Sequence, residues 1–153
     1  MFELLKIRKA RRMAHAAIDP FLRRDPAGTA ILQAGDWLHP QIIGFLATLV
    51  TLIAQRHCGP MRTHALAAVQ AHVLNAVTGM GPELIGEEIC LLTSHEDPAF
   101  AAGARGAVAF LEILRPATEL DELDALVMPL DPALQRLWEE HVDQCLRRSP
   151  RPQ

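Results

Sequence analysis

Three histidines and a cysteine fall within sixteen residues, HCGPMRTHALAAVQAH, running from His57 to His72. Imidazole and thiolate are the ligands of structural zinc, which normally takes four of them. The spacing does not supply four. His64 and His72 are eight residues apart, which on one helix is about 12 Å along the axis. Chelating pairs on a helix sit at i,i+3 or i,i+4. His57 or Cys58 could meet His64 across the turn at Cys58-Gly59-Pro60, giving two ligands with no third nearby. The stretch reads as histidines around a helix turn, and no metal site is assigned.

Other pairs are better spaced. Asp36 and His39 are i,i+3 but straddle a helix start. His141 and Cys145 are i,i+4 on a helix whose apolar side also carries Leu134, Leu137, Trp138 and Val142, so they read as core neighbours. Glu83, Glu87 and Glu88 lie in the first turns of a helix, where carboxylates complement the dipole. The chain lacks Glu-x-x-His pairs, G-x-S-x-G, a phosphate-binding loop and G-x-G-x-x-G. "TGMGPELIGEE" reads as a glycine helix end followed by a Pro82 helix start. With no catalytic motif, the reading leans away from an enzyme.

An all-helical chain with HPQIIGF near residue 40, His64 midway, His95 later and EDPAF after it is faintly similar to the globin order. That resemblance implies a haem with His64 on its distal and His95 on its proximal side. One unbroken apolar helix over about 38–57 departs from the short helices and polar corner of globins, so the chain is not assigned to the family. No cofactor is expected. The alternative left open is a small-ligand or haem pocket between helices, lined by Phe45, His64, His95, His141 and Cys145.

These residues need elements to hold them. Ala and Leu dominate the 153 residues, Tyr is absent, and no window alternates with period two. The expectation is an all-α single-domain bundle of about six to seven helices around a very apolar central helix. The helices are expected near 2–18, 20–34, 38–57, 61–79, 82–95, 98–114 and 132–148, with a loop or short helix over 116–130 and a frayed tail over 149–153. Asp19-Pro20, Asp25-Pro26, Asp97-Pro98 and Asp131-Pro132 read as helix starts, with Asp as N-cap and Pro behind it. Gly35, Gly59 and Gly79 through Gly81 read as helix ends. Ala99, Gly103 and Ala107, with Ala102 and Gly106 beside them, form a small-residue stripe that admits a close neighbour, and Ala65, Ala68, Ala71 and Ala76 offer a matching surface.

Charge is segregated. Residues 1–24 carry seven Lys/Arg against Glu3 and Asp19, or +5; residues 83–143 carry fourteen Asp/Glu against Arg105, Arg115 and Arg136, or −11. On the first helix Arg8, Arg11, Arg12 and His15 group on one side, opposite Ile7, Ala10, Met13, Ala14, Ala17 and Ile18. Such a face suits a protein partner or a second copy of the chain. An anionic membrane surface is the alternative, and nucleic acid is disfavoured because no recognition helix or interleaved aromatics accompany the charges. The apolar run Ile42 to Ala54 is shorter than the roughly 20 residues a bilayer needs, so it is read as a buried helix. Three cysteines and a charged N-terminus without a signal-peptide core point to a cytoplasmic protein with reduced thiols. The function expected is a non-catalytic interaction or regulatory module, self-associating as a homodimer.

Overall fold

His39 and Pro40 begin the helix around which the rest is built. His39 is extended and its Nδ1 accepts the Gln41 amide N–H at 3.2 Å, while Pro40 occupies a first-turn position that needs no N–H. In the computed structural model, which describes residues 2–22, 34–114 and 131–148, this helix α2 spans Pro40–Cys58. Six consecutive residues, Ile42 to Ala47, are buried, so α2 is covered on every side. Each Leu, Ile or Phe buried this way contributes about 1.5–3 kcal/mol relative to exposure. No described helix is long and apolar enough to cross a membrane.

Around α2 stand α1 (Phe2–Leu22), a 3-10 turn (Ala34–Trp37), α3 (Thr63–Thr78), α4 (Pro82–Ser94), α5 (Pro98–Ile113) and α6 (132–148). The last is α-helical over Pro132–Trp138, π-helical over Glu139–Asp143 and α-helical again over Gln144–Arg148. No strand occurs among the described residues, and the chain is an all-α bundle around α2, the described helix with the most buried residues. Two of the Asp-Pro starts are N-caps: Asp97 Oδ1 accepts from Phe100 N–H at 3.0 Å, and Asp131 Oδ1 from Ala133 N–H at 2.8 Å. Gly59 and Gly79 end α2 and α3 with positive φ, Gly79 at 76° in the left-handed region that glycine adopts without strain.

One local reading needs correction. Asp19-Pro20 is not a helix start; α1 runs through Pro20 to Leu22 because Ile18 and Phe21 lie on its core-facing side and are buried there. Gly35 lies in the 3-10 turn, where its carbonyl accepts from Leu38 N–H; the helix it is expected to end falls on residues outside the described ones. The Asp25-Pro26 start, most of the 20–34 stretch, the 116–130 stretch and the tail lie outside the described residues.

The most intimate packing joins α2 to α5. A Cβ on Gly103 would stand 2.7 Å from Phe45 N and closer still to the Gln41 carbonyl oxygen; one on Gly44 would stand 2.9 Å from the Phe100 carbonyl carbon. The small-residue stripe therefore does admit a close neighbour, but that neighbour is α2 at Gly44, not the alanines of α3. Arg56 at the end of α2 donates to the Leu111 and Leu114 carbonyls at 3.1 and 3.0 Å, which satisfies the exposed end of α5 with a cation. Under this contact, Phe21 of α1, Phe45 of α2, Phe110 of α5 and Trp138 of α6 form one aromatic cluster, with ring centroids 5.2–5.9 Å apart.

Candidate functional site

Among the described residues, the buried His141 and the outward face of α1 carry chemistry beyond packing. His141 is the only buried histidine, on the π-helical turn where Gln144 N–H reaches back to the Glu139 carbonyl. Its ring lies flat on Phe45, with centroids 5.4 Å apart and planes 7° from parallel. On α5 it abuts Gly106, where a Cβ would come within 2.7 Å of the ring's Cε1. Gln41 Nε2 donates to His141 Nδ1 at 2.9 Å, which leaves the ring proton on Nε2, with the Glu140 carboxylate 4.0 Å away. Burial lowers the pKa of His141, with the Glu140 charge acting in the opposite direction. A neutral imidazole held this way joins α2, α5 and α6.

The five residues expected to line a ligand pocket do not converge. Phe45, His141 and Cys145 share the core side of α2 and α6. His64 is exposed at the start of α3, its Nε2 3.6 Å from the Glu3 carboxylate, and His95 is exposed beyond the end of α4. Burial pushes the Cys145 thiol up, against the pull of Arg148, so it stays protonated and unreactive near neutral pH. The histidines of the opening stretch also stay apart. Cys58 Sγ donates to the Lys6 carbonyl at 3.4 Å, while His72 meets His15 of α1 edge-on at 6.0 Å. Among the described residues no group of three or more metal-ligating side chains converges. Gln41 and Gly106, the partners that place His141, were not singled out from the sequence; their only trace is that Gly106 belongs to the small-residue stripe.

His39, His57 and His141 all have lowered pKa values, each chiefly through burial. They therefore bind protons more readily in the unfolded chain, near 6.5, than in the fold. Their contribution is complete above that value, and stability falls as the pH drops through it toward the lower folded values. Urea midpoints measured from about pH 8 down to about pH 5 are expected to decline. His141→Gln should flatten that decline whatever it does to the midpoint at high pH. An unchanged slope would show that His141 is not the source.

The α1 face is built differently. Ala10, Ala14, Ile18 and Phe21 fix the helix to the core. Lys6 Nζ donates to the Pro60 carbonyl at 3.2 Å and ties its first turns to the turn between α2 and α3. Arg11 and His15 turn sideways toward α3 and are half-buried, and the Arg11 charge helps lower the pKa of His72 after burial. Arg8, Lys9 and Arg12 point outward and are exposed. Beside them Phe2, Leu4 and Leu5 are 83 %, 65 % and 58 % exposed, a cost in water that a monomer normally avoids. A cleft of about 280 Å³ opens next to Phe2, between Lys6, Pro60, Met61 and Arg62. The four residues expected to bind a partner thus divide into two that project, Arg8 and Arg12, and two that pack on α3.

No known protein family matches the chain, and no curated protein or solved structure matches it either.

Proposed function

We propose that this protein is a non-catalytic interaction module that presents the outward face of α1 to another protein. The observation that carries this reading is the pairing, on one rigid helix, of exposed Phe2, Leu4 and Leu5 with exposed Arg8, Lys9 and Arg12. Apolar anchors give affinity once desolvated, and the cations steer and orient an acidic partner. No ion pair within the described residues engages these three cations. A photocrosslinking amino acid placed at Arg12 in cells is expected to yield covalent protein adducts. The same probe at Val108, exposed on α5, should yield none. Absence of protein adducts at position 12 would overturn the reading.

The same tip supports a second reading, attachment to an anionic membrane surface. An amphipathic helix that lies in a bilayer interface buries its whole apolar face there. In α1 that face, from Ala10 to Phe21, is already spent on the core, so only Phe2, Leu4 and Leu5 remain for lipid. That leaves the protein partner favoured. Flotation with anionic vesicles that is lost at high salt would instead support the membrane.

A further inference from the structure

α4 carries the converse of the α1 face. It has three carboxylates, Glu83, Glu87 and Glu88, and no Lys or Arg. Only Ile85 and Leu92 are buried in it; Leu84 and Leu91 are 38 % and 49 % exposed. At 100° per residue, Glu83, Leu84, Glu87, Cys90 and Leu91 fall on one side of the helix. All five are exposed, and within the described residues none of the three carboxylates is ion-paired. One helix thus offers leucines among cations and another offers leucines among carboxylates.

Their placement makes the match usable twice. α3 packs against both α1 and α4. Its exposed positions His64, Ala67 and Asn75, with half-buried Ala71, form a strip between the two. A twofold axis lying along that strip sets α1 of one copy against α4 of the other, and α4 against α1 at the same time. This is the self-complementary arrangement of a closed dimer, and Ala67 and Ala71 at the middle of the strip let the two copies approach closely there.

We infer that the partner of the α1 face is a second copy of this chain, docked through its acidic α4. The inference rests on the interaction reading above and narrows it to one occupant. Arg8, Lys9 and Arg12 meet Glu83 and Glu87, while Leu4 and Leu5 meet Leu84 and Leu91. Cys90 is covered in the dimer.

The test uses the purified chain of 153 residues. Native mass spectrometry and sedimentation equilibrium are expected to find twice the 16.9 kDa of one chain. The double variant Arg8→Glu/Arg12→Glu makes both faces acidic, and Glu83→Lys/Glu87→Lys makes both basic. Each should raise the dimer Kd by about tenfold or more, since like charges then oppose one another. Mixed together, the two variants should pair with each other and restore a mass of two chains, which no folding defect could produce. Alkylation of Cys90 should slow as wild-type concentration rises through the Kd. A wild-type monomer at every concentration would overturn the inference, as would a dimer indifferent to both reversals or variants that fail to pair on mixing. Crosslinks from Arg12 to a different protein, with the purified chain monomeric, would overturn self-association while sustaining the interaction reading. Loss of both adducts and dimer would overturn both.

Discussion

Gly103→Ala is expected to destabilise the protein by about 3 kcal/mol or more, although a single methyl is added. In an isolated helix the change would help, because alanine is favoured over glycine by about 1 kcal/mol. Here the added Cβ meets backbone: Phe45 N at 2.7 Å, the Gln41 carbonyl carbon at 3.0 Å and its oxygen nearer still. Backbone cannot swing aside as a side-chain end can, so α5 must back away from α2 along the tightest contact in the bundle. Gly86→Ala is the matched control. Its Cβ meets nothing within 4 Å, and the site is exposed on α4. It is expected to stabilise by about 0.5–1 kcal/mol. Urea denaturation of both variants reads the contrast directly. If Gly103→Ala behaved like Gly86→Ala, the close approach of α2 and α5 would be refuted.

That contact shows how far the sequence carries. Glycines and alanines at every fourth position announce that some helix will come close, because the signal is the absence of side chains on a stripe. The identity of the partner is not local information. Gly44 sits alone in an apolar run and has no repeat to mark it, so the alanines of α3 looked equally suitable. Caps were legible where the competing pull was weak, as at Asp97 and Asp131. Asp19-Pro20 failed because burial of Ile18 and Phe21 outweighed the local stop signal. The candidate site divides along the same line. Charge and apolar periodicity placed Arg8 and Arg12 on the outside of α1, since one helix decides that. Whether His64, His95, His141 and Cys145 meet is decided by several helices at once, and the packing separates His64 and His95 from the other two.

The segregation of charge also has a physical consequence for the fold. The cations of α1 that find partners within the described residues do so sideways, as Lys6 does on the Pro60 carbonyl. The exposed ones contribute little to the stability of one chain, because charges in water interact weakly. Their arrangement matters when a second surface excludes that water, and this is why α1 and α4 are better understood together than as two solvated helices.

Phe45→Ala is expected to cost about 3–5 kcal/mol, a large share of the roughly 5–15 kcal/mol that holds a domain of this size together. Phe45 is fully buried, and its ring touches Phe110 and Trp138 edge-on and His141 face-on. Removing it loses the transfer energy of the ring and opens a cavity at the point where α2, α5 and α6 meet. Phe45→Leu keeps most of the apolar volume and loses the aromatic geometry, so about 1–2 kcal/mol is expected. The difference between the two separates cavity from ring contacts. His141→Gln in the Phe45→Ala background should then cost less than it does alone, since the stacked face is already gone. Equal costs in both backgrounds would mean that the stack contributes nothing and that the Gln41 hydrogen bond alone holds His141 in place. A Phe45→Ala variant with an unchanged urea midpoint would remove the aromatic cluster from the account of why α1, α2, α5 and α6 pack as they do.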